Sequence, residues 1–237
     1  MKLSQNTVKL ILEATKLANM LNIEGLILDD TGIRGYNNTD GLIVASLGDH
    51  GFEFDSLGIA RLGSLKHKAA LLRDLNLVNV EAVQKSGKPD VIEKLIFDCG
   101  KIKFEFRCAL VRGIIDIPST KMKIDPIFHF DITEDDVANM TQGISAMRSK
   151  EMTITGNGSD VNFLFNDDTG DILNLTIDSD LTSIGPKSEV SLIVNLKVMA
   201  PIMKLAAQAG TFTLNILKNN IVHIAIGNMD VIVMPEV

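Results

Sequence analysis

The chain has 237 residues, 46% of them hydrophobic and 22% charged, with a formal net charge of −7. That is enough chain for one large core or two of ordinary size, and no run of about 18 apolar residues offers a membrane span. Two cysteines, Cys99 and Cys108, form neither a disulfide framework nor a metal-ligand spacing, so a reducing, intracellular setting is expected. The acidic balance taken alone speaks against a nucleic-acid partner, which makes the distribution of charge the deciding quantity.

The N-terminal MKLSQNTVKLILEATKLAN has a faint likeness to a secretory leader, but Glu13 and Lys16 interrupt its apolar stretch. It reads as an amphipathic helix from about Gln5 to Met20. Leu10, Ile11, Ala14, Leu17 and Ala18 share one face, and Lys9 and Lys16 lie on another. Strands are expected at EGLILDD, GIRGYNN and GLIVASL. A second unit opens on FEFD, with Asp55 or Ser56 placed to cap a helix through LGIARLGSLKHK, where Arg61, Ser64 and Lys68 form a stripe. Residues 69–77 suit either a helix end or a loop. VNVEAVQK, VIEKLIFD and KIKFEFRCAL complete that unit as strands around Ser86-Gly87-Lys88-Pro89 and Cys99-Gly100 turns.

VRGIIDIPSTKMKIDP carries two prolines and no clear period, and reads as a linker. A third unit follows. IFHFDI leads into a Thr133–Asp136 capping box and a helix to about Arg148, with Thr141 and Ser145 on its polar side. EMTITGNG, DVNFLFND and DILNLTID are its strands. The fourth unit repeats the plan. SEVSLIVN is a strand and LKVMAPIMKLAAQAG a helix ending at Gly210, and TFTLNIL, IVHIAI and DVIVMP are three strands separated by turn residues. Around that last helix, Lys197, Lys204 and Gln208 make one narrow stripe, while Val198, Met199, Ile202, Met203, Leu205 and Ala206 cover the rest. Pro201 implies a kink or a non-helical first turn. The fold class is therefore α+β: two similar domains, residues 1–111 and 127–237, joined by a connector over 112–126. Each domain holds two strand–helix–three-strand units.

Charge is divided unevenly among these elements. Segments 5–20, 57–68, 137–150 and 197–209 hold nine Lys or Arg and one acid, Glu13, against 14 basic and 29 acidic residues elsewhere. A solvated helix face often carries Lys, yet four basic helices in an acidic chain suggest one basic surface built from helices.

Catalytic patterns are scarce. Asp167-Asp168-Thr169-Gly170-Asp171 has a passing likeness to a calcium loop, but the ligand spacing and the closing Glu are missing, and a hairpin turn explains it. His50, His67, His129 and His223 are scattered without an HExxH pair. Gly156 and Gly158 follow a strand but open no helix, and no GxSxG run occurs. The Met residues of the fourth helix suit a core. No catalytic residue, metal site or cofactor is expected.

The start MKLS running into helix one, together with GFEFDSLGIARLGSL, FDITEDDVANM and VSLIVNLKVMAPIMKLA, resembles the DNA sliding clamps in their two-domain, trimeric form. The likeness is nearest to clamps of tailed bacteriophages related to T4, with the proliferating-cell-nuclear-antigen type close behind. The resemblance implies a ring with helices inside and sheets outside, and a processivity factor, not an enzyme. It implies that Lys9, Lys16, Arg61, Lys68, Arg148, Lys197 and Lys204 face duplex DNA, with sequence-independent, salt-sensitive phosphate contacts. Subunits of a homotrimer would join through strand edges holding Lys103, Phe104, Phe106 and Cys108 on one side and Ile172, Asn174 and Thr176 on the other. A pocket for short peptides of the DNA polymerase, clamp loader and other replication or repair proteins would involve Ile114, Ile117, Pro118, Met234 and Pro235 over Leu42 and Val44. The plainer account of those apolar residues is that they pin the linker to the sheets. The implied location is the cytoplasm of an infected bacterium, or otherwise a nucleoid or nucleus, without a membrane. The competing class is an α+β enzyme or small-molecule binder whose pocket the sequence does not display.

Overall fold

Alternating apolar and polar residues form strands in this chain, and each switch to a 3.6-residue period forms a helix. The computed structural model describes residues 1–30, 32–37, 41–47, 56–72, 74–114, 126–156, 160–178, 190–209, 212–217 and 220–234. The chain divides into two compact units, one of residues 1–38 and 43–121, the other of residues 39–42 and 122–237.

In the first unit, α1 (Gln5–Met20) starts at Ser4, whose hydroxyl accepts from Thr7 N at 3.1 Å. Val8, Ile11, Thr15 and Ala18 are buried together with Leu10, Ala14 and Leu17, the spacing of one helical face. Leu21 N donates to Leu17 O and the Asn37 amide donates to Leu21 O, closing the helix end. The strands β1 (Gly25–Asp29), β2 (Gly32–Asn37), β3 (Leu42–Leu47) and β4 (Ser56–Ala60) follow. Then come α2 (Leu62–Ala69), β5 (Asn79–Lys85), β6 (Lys88–Asp98) and β7 (Lys103–Arg107).

The leading strands change places. β4 belongs to the second strand–helix–strand repeat but pairs antiparallel with β1 of the first, Leu26 opposite Ile59. The N-terminal residues of the first repeat pair instead with β5 of the second, Leu3 N donating to Val80 O and Ala82 N to Met1 O. The orders are thus β3-β2-β1-β4 and β7-β6-β5 plus the N-terminal segment, with a single parallel bridge between Ser56 and Val91.

The second unit repeats the exchange. Its elements are β8 (Pro126–Ile132), α3 (Glu134–Met147), β9 (Glu151–Gly156), β10 (Asp160–Asn166), β11 (Ile172–Asp178), β12 (Val190–Asn195), α4 (Leu196–Ala209), β13 (Phe212–Leu217), β14 (Val222–Ile226) and β15 (Met229–Val233). β12 pairs with β9, giving β11-β10-β9-β12, and β8 pairs with β13, giving β15-β14-β13-β8. The capping box is present: Thr133 Oγ1 accepts from Asp136 N, and Asp136 accepts from Thr133 N. Within each unit the two helices pack together, α1 with α2 and α3 with α4. Gly143 brings α3 close to its sheet, because a Cβ there would lie 3.0 Å from Leu173.

The structure corrects the second junction. Residues 57–60 belong to a strand and not to a helix, and Ser56 starts that strand and does not cap α2, while Asp55 lies outside the described residues. Leu57 and Ile59 turn inward in β4, and Gly58 lies against Ala109, whose N donates to Gly58 O at 2.8 Å. So short an apolar run does not distinguish the two periods. The helix begins one residue after Arg61, which holds a left-handed conformation (φ 55°, ψ 46°). Residues 75–77 form a short 3-10 turn capped by Asp74. In α4 the first turn is helical, Lys197 N bonding to Asn195 Oδ1, and the helix runs on through Pro201.

Candidate nucleic-acid interface

The helices carry the candidate DNA contacts, and their observed bounds change the charge account. α1 contributes Lys9 and Lys16 against Glu13, and α2 contributes Lys66 and Lys68. α4 contributes Lys197 and Lys204 without an acid. The first turn of α3 holds Glu134, Asp135 and Asp136, and the helix contains no Lys or Arg. Only three of the four helices are basic. The acids of α3 stand where the positive end of a helix dipole and a capping box favour them, so their local role accounts for the exception.

Lys16, Lys197 and Lys204 are exposed and Lys9 is half-buried. Arg148 follows the last turn of α3 in a left-handed conformation (φ 49°) and is exposed. Arg61 and Lys68 are engaged differently. The Arg61 guanidinium donates to Arg107 O at 3.0 Å and lies 5.2 Å from the centre of the Phe106 ring. Lys68 Nζ donates to Glu105 O at 3.3 Å and lies 5.9 Å from the Phe104 ring. Two cations expected on the DNA-facing stripe are therefore laid against β7.

β7 and β11 are the strands expected at a subunit boundary. Among the described strands each has one partner, β6 and β10 respectively. In β7, Phe106 is 1% exposed, and Phe104 stacks on Phe97 with centroids 4.7 Å apart. Phe106 is core, Phe104 is half-buried, and Lys103 is exposed. Both oxygens of Glu105 accept from Lys94 at 2.9 Å, and that bond holds the carboxyl below its usual range. Cys108 is half-buried, and burial pushes its thiol up to about 12. In β11, Ile172 is 66% exposed, Asn174 and Thr176 are exposed, and Thr176 donates to Asn162 Oδ1 at 2.7 Å.

The residues expected at a peptide pocket separate. Leu42 and Val44 are core, at 1% and 0% exposure. Ile114 packs on the first sheet, where a Cβ at Gly25 or Gly58 would lie 3.0 Å from it, and it borders a shallow recess with Glu24, Tyr36 and Ala60. That contact is the pinning role weighed for the linker. Met234 is 37% exposed, and its N donates to Gly41 O at 3.1 Å. Ile117, Pro118 and Pro235 lie outside the described residues.

One polar arrangement was not foreseen. His129 Nδ1 bonds to Asn215 Oδ1 at 2.7 Å, Asn215 Nδ2 to His223 Nδ1 at 2.9 Å, and His223 Nε2 to Asp230 at 2.8 Å. Four adjacent strands place these residues in one row. The sequence signal was slight, since the four are spread over about a hundred positions. The Asp167 turn is a hairpin whose carboxylate accepts from Thr169 and Asp171; the Thr169 bond is the main cause that lowers its carboxyl.

No protein-family model matches the sequence, and no curated protein matches it. Among solved structures, a proliferating cellular nuclear antigen from Entamoeba histolytica matches 100% of this chain and 98% of its own, with a TM-score of 0.71 and 16% sequence identity. The chain has the sliding-clamp fold, two similar α+β domains that each join two strand–helix–three-strand repeats.

Proposed function

We propose that the protein is a DNA sliding clamp: a ring of three copies that encircles duplex DNA and tethers a DNA polymerase. The observation that carries this reading is the full-length likeness to a proliferating cellular nuclear antigen. The lysines on α1, α2 and α4 agree with it. Enclosure supplies the residence time, so phosphate contacts by Lys9, Lys16, Arg148, Lys197 and Lys204 stay individually weak and sequence-independent. The protein acts as a tether and not as a catalyst. Copies join through β7 and β11, and a clamp loader opens the ring. Short peptides of the polymerase and other replication proteins bind an apolar surface beside Met234, which is partly exposed. The setting is intracellular DNA replication, and the sequence runs similar to tailed-phage clamps favour a phage system.

Two measurements test the proposal. Sedimentation at high protein concentration should give a mass near three times 25.8 kDa. Protein loaded onto nicked circular DNA should stay bound until the circle is cut, and then slide off the ends. A monomer at every concentration, or release that ignores DNA topology, would contradict it and favour an ordinary binding protein or enzyme.

A further inference from the structure

Among the described residues, the edge of β7 away from β6 is closed by the chain's own side chains. Cys108 N donates to Glu93 O and Cys99 N to Ile102 O, and the register sets Phe106 opposite Leu95. In an antiparallel pair alternate residues face the partner strand. The even-numbered residues of β7 thus bond to β6, and the main-chain groups of Lys103, Glu105 and Arg107 point away from it. At Ala109 that outer side is taken by Gly58, through Ala109 N and Gly58 O. Between residues 103 and 107 it is met by α2 and the residue before it: Lys68 holds the Glu105 carbonyl and Arg61 the Arg107 carbonyl. Each cation also lies over a ring of the same strand, an arrangement favoured by the ring quadrupole. Arg61 keeps these contacts from a left-handed backbone that a non-glycine residue adopts at a cost, and its side chain makes no capping bond to α2.

We propose that Arg61 and Lys68 form a latch over the edge of β7, and that this edge takes β11 of a second copy only as the two cations leave the Glu105 and Arg107 carbonyls. The occupant follows from the clamp reading, on which this inference rests, and from charge. Lys101, Lys103 and Arg107 outnumber Glu105 on the β7 side, with Lys103 3.7 Å from Asp98, whereas Asp171 precedes β11 and Asp160 starts the neighbouring β10. An added strand offers neutral N–H groups to carbonyls that already hold charged donors. The exchange gains less than pairing with a bare edge would, because charge-assisted bonds are the stronger ones. The latch therefore weakens assembly and shields an edge that would otherwise pair indiscriminately.

The test uses the full chain with Arg61→Met and Lys68→Met, which keep the apolar stems over Phe106 and Phe104 and remove the donors. Circular dichroism checks the fold. Lys68→Met alone, which leaves the left-handed residue untouched, guards against a double variant that fails to fold. Self-association is followed by sedimentation equilibrium. Binding of a labelled peptide of residues 171–178 is followed by anisotropy, at protein concentrations where copies stay apart. The double variant should bind the peptide, and its own copies, about tenfold more tightly than the parent, the scale of one or two net hydrogen bonds. The single variant should move both in the same direction. Equal or weaker peptide binding by the variants overturns the latch, and so does an edge that binds no peptide in any form. Tighter peptide binding without self-association in any form upholds the latch and removes the ring reading instead.

Discussion

Gly58 shows how a single position fixes the first unit. A Cβ there would lie 2.6 Å from the Ala109 carbonyl oxygen, and that atom belongs to main chain held by its own hydrogen bond to Gly58. Gly58→Ala should therefore destabilise the protein by about 1–3 kcal/mol, the range of overpacking in a filled site. Gly113→Ala, where nothing lies within 4 Å, should stay within about 0.5 kcal/mol. Denaturant midpoints compare the two. Cys108 gives a pH-dependent prediction. Burial raises its thiol to about 12 in the folded protein, above the unfolded value of about 8.5. The folded state then holds the proton more tightly. Its contribution to stability is complete below about pH 8.5 and is lost as pH rises from there toward 12. Cys108→Ala should flatten the alkaline limb of the stability curve, and in the parent at pH 9 iodoacetamide should leave Cys108 unmodified until denaturant is added.

At the scale of the element, β7 decides how copies could meet. Phe106 faces β6 and the core, while Glu105 faces outward. Proline at these neighbouring positions should give opposite results. Glu105→Pro removes an outward N–H and leaves the β6 ladder whole, so the chain should fold while its copies fail to associate. Phe106→Pro breaks the ladder opposite Leu95 and deletes a buried ring, so it should unfold or strongly destabilise the first unit. Circular dichroism with sedimentation separates these outcomes. Trimers formed by a folded Glu105→Pro protein would place the subunit boundary elsewhere. The alternation that makes Phe106 and Glu105 face opposite ways is legible as a period, but its phase comes from pairing with β6.

For the whole molecule, the question is whether the helix lysines act together. Lys9 and Lys16 on α1 and Lys204 on α4 are compared with Lys85, Lys88 and Lys101, exposed residues of the β5–β6 and β6–β7 hairpins. Changing the first three to Ala should shorten polymerase tracts on primed DNA, with a loss that grows as salt is raised, because each phosphate contact carries a counterion-release contribution. Changing the second three should leave tract length near that of the parent. Equal loss in both sets would show that the helix lysines are ordinary solvated charges. Arg61 and Lys68 are left out of the comparison because they hold the β7 edge.

Local chemistry determined much of this protein within the sequence itself. Among the described residues, the order of strands and helices, β4 excepted, follows from periods of two and 3.6, from the Ser4 and Thr133 caps and from turn residues between runs, all of which act over a few positions. The α+β class and the repeated strand–helix–three-strand plan were legible for that reason. Tertiary structure alone decided the exchange of leading strands, the short α2 preceded by a left-handed Arg61, the outward phase of β7 and the row from His129 to Asp230. Each of these depends on groups far apart in the chain, such as Arg61 with Arg107, 46 positions away, or Gln5 with Val78, 73 away. The acids of α3 are local as well, since the Thr133–Asp136 capping box places Glu134, Asp135 and Asp136 in the first turn of that helix. A pattern records which residues turn inward; the partner that satisfies each strand's N–H and C=O groups is settled only when distant strands meet.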